Sequence, residues 1–227
     1  AFVKLRVPGM REPHPFTIAS GPDEEHLRFF VRNLGDWTGE LREHDLVGAR
    51  VIVEGPYGRF EPLPEGGDAT QVVWVAGGVG ITPFLSILAT LPTGAAPEKR
   101  PLLIDCVADA DSATAIDVLR AAAADGRITL ELVESSQGRR LDADLLRELV
   151  GGDLTGAHVA VCGPKGLVSM VERTAGSLGA NHVESEDFDI RSGIGPDLSR
   201  DLAPLERRLR RKYGPTPALA ATDAQAE

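Results

Sequence analysis

The spacing of apolar and polar positions changes part-way along the chain. Up to about residue 66, short apolar runs alternate with breaks at Gly, Pro and Asp: Ala1–Val7, Pro15–Ser20, Leu27–Asn33 and Arg50–Glu54, each rich in Val, Ile, Phe or Thr. That pattern predicts antiparallel strands of a barrel or sandwich. From residue 67 the runs are continuously apolar, and each is followed by helical spacing. Strand Gln71–Ala76 precedes helix Pro83–Leu91, and Leu102–Val107 precedes Ala113–Ala124. Ile128–Glu134 then precedes Ala143–Val150, His158–Cys162 precedes Lys165–Ser177, and a last strand lies near Val183. Strands apolar on both faces, each returning through a helix, predict a doubly wound parallel sheet. The fold class expected is therefore mixed β and α/β: an antiparallel β-barrel over 1–66, followed by a nucleotide-binding α/β domain over 67–191. The polar, turn-forming stretch Pro62–Asp68 is the boundary.

Residues 192–227 read differently. Ser192-Gly193-Ile194-Gly195-Pro196 breaks the pattern, and Leu198, Leu202, Leu205 and Leu209 recur at helical spacing beside Glu206 and the five basic residues Arg207, Arg208, Arg210, Arg211 and Lys212. This predicts a short basic amphipathic helix, packed on its own domain or laid on an anionic membrane surface. The Pro-, Ala- and Thr-rich end, 215–227, has the composition of a disordered tail.

The chemistry is concentrated in Val72–Leu91. There a β-branched run ends in Gly77, Gly78 and Gly80 and passes through Thr82-Pro83 into Phe84, Ile87, Leu88 and Leu91. A strand, a glycine turn and a helix start present free backbone N–H groups and the positive end of a helix dipole, and glycines admit a phosphate without a Cβ in the way. Thr82 suits the N-cap and Pro83 the first helical position. A dinucleotide pyrophosphate fits such a turn; close packing of backbone on backbone is the other use of glycines here.

Composition narrows the partners. A formal charge of −10 argues against nucleic acid, whose phosphates reward a basic face. The two cysteines, Cys106 and Cys162, lie within or at the end of apolar runs without metal-ligand spacing, so they read as reduced thiols and no metal site is expected. No apolar run reaches the ~20 residues that cross a bilayer. The chain opens directly on the alternation Phe2-Val3-Lys4-Leu5, which leads us to expect a further piece upstream and a barrel whose first strands are missing.

Five motifs occur in order: His14-Pro15-Phe16-Thr17, Gly35-Asp36-Trp37-Thr38, Glu54-Gly55-Pro56-Tyr57-Gly58, the Gly77–Phe84 turn, and Cys162-Gly163-Pro164. Together they resemble the dehydrogenase domain of the NADPH oxidase and ferric reductase family, within the wider ferredoxin–NADP reductase-like flavoproteins. The resemblance runs from residue 1 to about 191. It implies that the barrel binds FAD. Phe16 then offers a flat apolar face for the isoalloxazine, Thr17 reaches flavin N5 with its hydroxyl or its N–H, and His14 donates to a phosphate or ribityl oxygen. Arg32 is expected on the flavin pyrophosphate as a charge-assisted donor. Asp36 is expected to cap a short helix whose N–H groups and Thr38 hydroxyl form a second anion site. Trp37 has two possible roles, covering the adenine or plugging the barrel mouth.

On the nicotinamide side, Gly163 and Pro164 are expected to admit the ring. Cys162 reads from chemistry alone as a buried structural thiol, whereas the resemblance places it at hydride transfer beside Thr17. The resemblance also makes Phe188, after the last strand, the aromatic that shields the second flavin face. The strand ends that choose between NADPH and NADH carry Val107-Ala108-Asp109, where an NADPH oxidase has an arginine, and Arg139-Arg140, which can supply the positive charge a 2′-phosphate needs. The donor is thus NADPH or NADH, undecided.

The expected function is a flavin-dependent oxidoreductase that moves a hydride from NAD(P)H to FAD and releases single electrons to an acceptor. The resemblance implies haem in an upstream membrane domain of the same polypeptide, or a separate acceptor, and hence a place at the cytoplasmic face of a membrane. The alternatives are a soluble reductase feeding an iron–sulfur partner and a non-catalytic nucleotide-binding module.

Overall fold

The computed structural model describes residues 2–5, 14–33, 35–64 and 69–187. Glu65–Asp68, Phe188 and the 192–227 tail, of which the sequence raised expectations, lie outside them. In the second half, strands β4 (Val72–Gly77), β5 (Leu102–Val107), β6 (Thr129–Glu134), β7 (His158–Gly163) and β8 (Val183–Asp187) form one parallel sheet in the order β6-β5-β4-β7-β8. Between them run helices α2 (Thr82–Leu88), α3 (Ile116–Ala124), α4 (Ala143–Leu149) and α5 (Lys165–Ser177), after α1 (Asp36–Glu40) in the first half.

Strand alternation decides which helix covers which face. Trp74, Ala76, Leu103, Ala160 and Cys162 pack with Ile81, Phe84, Leu88, Leu119 and Ala122 from the α2 and α3 side. Val73, Val75, Ile104, Val159 and Val161 pack with Leu146, Val150, Val168, Val171 and Ala175 from the α4 and α5 side. The chain winds outward from β4 to β6 and returns to β7 on the other side of β4, so β4 and β7 are the topological switch point, the place where such sheets bind ligands.

In the first half, β1 (Phe2–Leu5), β2 (His14–Pro15) and β3 (Val51–Glu54) form an antiparallel sheet in the order β2-β1-β3. The mixed β and α/β class agrees with the sequence reading, but the predicted strands Pro15–Ser20 and Leu27–Asn33 shrink to His14–Pro15. Residues 16–33 leave the ladder; one backbone bond, Ala19 N–H to Arg28 O at 2.9 Å, still ties their two arms. The reason is burial against the other half. Ala19 is 1% exposed within the α2 core, and a Cβ on Gly21 would stand 2.7 Å from the Ala89 Cβ. Pro15 and Pro22 also lack the N–H a ladder needs.

The chain before the boundary is pinned as well. The buried Trp74 indole N–H donates to Pro62 O at 2.6 Å, His158 Nε2 donates to Glu61 O at 3.0 Å, and Phe60 meets Phe84 edge-on at 5.7 Å. No helix of the described residues is long and apolar enough to cross a membrane.

Candidate functional site

The carboxyl ends of β4, β5 and β6 face the aromatic cluster of the first half across a cleft of about 1510 Å³. One wall carries His14, Pro15, Phe16, Thr17 and Arg32, with Gly35, Trp37 and Thr38 beside them. The other carries Gly77, Gly78, Thr82, Pro83, Pro164 and Arg139. These sequence-predicted residues, far apart in the chain, are brought together.

The aromatic wall is built on Trp37, whose ring centroid lies 4.0 Å from His14 and 5.9 Å from Phe16, with planes tilted by about 30° at 33° and 32°. Flat faces in this arrangement suit a stacked heteroaromatic ring. Trp37 sits on α1, and there the expected cap is corrected: Gly35, not Asp36, is the N-cap. The Thr38 hydroxyl turns back on its own helix, accepting from Gly35 N–H at 3.0 Å and donating to Gly35 O at 3.1 Å. The Trp37 indole N–H is buried with no acceptor among the described residues. Such an orphaned donor on a cleft wall fits a ligand bearing acceptor oxygens or nitrogens.

On the glycine wall, Gly78–Ile81 forms a 3-10 turn that runs straight into α2. Thr82 is therefore inside the helix rather than its N-cap, which is Ile81; the buried Thr82 hydroxyl donates to Val79 O at 2.9 Å, and Pro83 is second rather than first in the helix. The three glycines divide by role. A Cβ on Gly80 would lie 2.1 Å from Cys162 O, and one on Gly77 would lie 2.7 Å from Leu167 Cδ2 and 2.9 Å from Pro164 Cδ, so these two let the turn nest on β7 and α5. Gly78, at φ +59°, is the one whose missing Cβ opens toward the cleft, its nearest neighbour being Arg32 Nη1 at 3.7 Å. Arg32 thus reaches across to the glycine turn.

Not every predicted residue arrives at the cleft. Gly80, Cys162 and Gly163 are absent from its lining. Gly163 is pressed on Gly77, where a Cβ would meet Gly77 Cα at 3.2 Å. Cys162 is 0% exposed in the α2 core, and burial together with nearby Glu186 pushes its thiol upward from the ordinary range. The side chain packs in the core, because β7 alternation puts it on the same face as Ala160. Arg139 lines the cleft but is engaged, its guanidinium donating to Glu131 at 2.9 Å and to Leu132 O at 3.2 Å.

Two residues were missed as site residues. Glu186, on β8, lines the cleft, and burial raises its carboxyl above the usual range; its signal was its place at the end of the last strand. Cys106 also lines the cleft, with a thiol pushed up to about 12 by burial and by Asp105. Arg140 stands on the same rim. Asp105, outside the lining, is 1% exposed with neither carboxylate oxygen hydrogen-bonded to any described residue, and burial lifts it from 3.8 to about 7.

Comparison with known proteins gives two matches along the chain: residues 1–61 match the FAD-binding domain family and residues 74–173 the oxidoreductase NAD-binding domain family. The chain is 30% identical over 185 residues to the electron transfer component of 2-halobenzoate 1,2-dioxygenase from Burkholderia cepacia, covering 75% of this chain and 52% of that protein. It is 40% identical over 91 residues to dual oxidase 2 of Rattus norvegicus, covering 37% of this chain and 6% of that protein. It thus spans about half the length of the first relative and a small part of the second. Among solved structures, the cytochrome P450 reductase GcoB of Amycolatopsis shares the fold at a TM-score of 0.62 with 23% identity, over 82% of this chain and 60% of that one.

Proposed function

We propose, from the premise that this chain belongs to the ferredoxin–NADP reductase-like flavoproteins that include the NADPH oxidase dehydrogenase domains, that it moves a hydride from NAD(P)H to FAD and delivers single electrons to an acceptor outside this segment. The observation that carries the reading is the single cleft that sets the His14–Thr17 and Gly35–Thr38 wall against the Gly77–Pro83 turn. FAD, when bound, supplies the conversion of a two-electron donor into one-electron steps.

The chain's own residues position and insulate. Phe16 and Trp37 hold a ring by its faces, the free Trp37 N–H supplies a donor, and Thr17 and His14 supply polar contacts on the same wall. Gly78 and Arg32 form an anion seat between the two walls, one by leaving room and the other by charge. Pro164, ahead of α5, narrows the end of the cleft where Glu186 keeps its carboxyl proton to higher pH than an exposed glutamate. Cys162 acts from below, as packing under the Gly80 turn. The unit boundaries at residues 66 and 191 are part of this proposal.

For the acceptor, we favour haem in an upstream membrane domain, with this chain at the cytoplasmic face. Support comes from the ordered His-Pro-Phe-Thr and Gly-Asp-Trp-Thr motifs and the identity to a dual oxidase. A second reading, a reductase component serving a soluble iron–sulfur acceptor, is favoured by the longer alignment to the dioxygenase electron transfer component. The absorption spectrum of the purified full-length protein separates them: flavin bands bleached by NAD(P)H accompany haem bands on the first reading and iron–sulfur features on the second. A protein that retains no flavin refutes both.

A further inference from the structure

We infer that Asp105 is a proton-linked control point under the dinucleotide seat: when it ionises, the anionic dinucleotide binds more weakly. The inference rests on the nucleotide-binding reading above. Asp105 lies in β5, paired with Ala76 of β4 on one side and Leu132 of β6 on the other. Each of the three strands joins the cleft wall at the next residue: Gly77 after Ala76, Cys106 after Asp105 and Val133 after Leu132. Alternation turns the Asp105 carboxyl to the face of Leu103, where the Gly78–Ile81 turn, α2 and α3 pack through Ile81, Leu88 and Leu119. The group is 1% exposed, and neither oxygen has a hydrogen-bond partner among the described residues. Such a site tolerates the neutral acid and penalises the carboxylate, which would form one layer below the place where the dinucleotide phosphates sit.

The elements packed on that face offer no buried compensating charge among the described residues. From Val72 to Leu88, which includes β4, the glycine turn and α2, there is no ionisable side chain. Cys106, next in β5, has its thiol pushed up in part by Asp105. On β6, Glu134 shares the Leu132 face and accepts from Ala110 N–H at 2.8 Å, while Glu131, bound to Arg139, is on the opposite face. Asp109 and Asp111 lie in the segment before α3, and Asp117 and Arg120 are exposed on α3. Arg127, after α3, is drawn to Leu88 O at 3.4 Å and to Asp125 at 3.7 Å. Burial raises Asp105 from 3.8 to about 7, so its charge changes in the neutral range. Below about 7 the acid is neutral and the seat takes the dinucleotide at full affinity; as pH climbs through that value the carboxylate forms and affinity drops to a lower plateau. The rise along a strand puts a phosphate on the Gly77–Gly78 turn on the order of 10 Å from Asp105. At that separation, like charges screened by salt weaken binding by roughly three- to tenfold.

The test is calorimetric titration of the FAD-loaded protein with NAD+ and with NADP+ from about pH 5.5 to 8.5, each in two buffers of different ionisation enthalpy so that protons are counted. Wild type should lose roughly three- to tenfold in affinity across that range and take up a fraction of a proton on binding near neutral pH. Asp105→Asn should hold the acid-side affinity throughout and show no such uptake, and its difference from wild type cancels the ionisation of the NADP+ 2′-phosphate itself. Glu186→Gln, which removes the other raised carboxyl at the cleft, should keep both effects. Equal pH profiles for wild type and Asp105→Asn, or a profile abolished by Glu186→Gln alone, overturns the inference and leaves the reductase reading intact. So does the absence of proton uptake when wild type binds NAD+, a result that depends on no variant. If neither dinucleotide binds at any pH, the reductase reading fails and this inference with it.

Discussion

Replacing Asp105 by asparagine should stabilise the protein in neutral and alkaline solution and leave it little changed near pH 4. Asp105 lies in β5 with 1% of its surface exposed and no hydrogen-bond partner for either oxygen among the described residues, so its charged form has lost hydration without receiving anything in return. Burial raises its pKa from 3.8 to about 7. A raised acid keeps its proton in the folded state at pH values where the unfolded chain has released it. The favourable state is complete below 3.8, and stability falls as pH climbs from there through about 7, then levels off. At 1.36 kcal/mol per pKa unit, the span from 3.8 to about 7 sets an upper limit of about 4 kcal/mol at pH 8.

Asparagine keeps the shape and the unpaired polar atoms but cannot ionise, so the difference between variant and wild type isolates the charge. Urea unfolding of both proteins from pH 5 to 8.5 reads it directly; in thermal melts, 2–4 °C per kcal/mol for a chain of this size translates the limit into roughly ten degrees. The stabilisation should grow steadily from pH 5 to 7 and then flatten. A difference that stays constant over that range would show that Asp105 does not titrate between the folded and unfolded states, and the burial argument would fail.

Two further substitutions probe the walls of the cleft. Phe16→Ala removes an aromatic face beside Trp37 and should weaken FAD retention by roughly tenfold, measured as flavin released on dilution; undiminished retention removes Phe16 from the site. Gly80→Ala would place a methyl 2.1 Å from Cys162 O, forcing the turn off β7, and should lower stability by about 3 kcal/mol or more, whereas Gly78→Ala, with its nearest neighbour at 3.7 Å, should act chiefly through its positive φ and cost about 1 kcal/mol. Equal losses in the two denaturation curves would contradict the division of roles among the glycines.

The alternation of the apolar runs was sufficient to place the parallel strands β4 to β8 and helix α5, because strands buried on both faces leave few other readings of Val72–Gly77 or His158–Gly163. The motifs His14–Thr17, Gly35–Thr38 and Gly77–Pro83 were legible as nucleotide-binding elements since each carries its chemistry within a few consecutive residues. Long-range contact decided the rest. Residues 16–33 have the composition of strands, yet Ala19 and Gly21 gain more by packing on α2 than by extending the ladder, and nothing local in their sequence reports that surface. Gly77 and Gly80 look like phosphate glycines, but their spacing to β7 and α5 is set by the fold, as is the burial of Cys162 beneath them. Arg139 and Arg140 are adjacent and chemically identical in the chain; only the position of Glu131 across the strand end engages the first and leaves the second facing the cleft. Local pattern specifies which backbone elements form, whereas the availability of a charge or a thiol depends on which neighbours the folded backbone brings beside it.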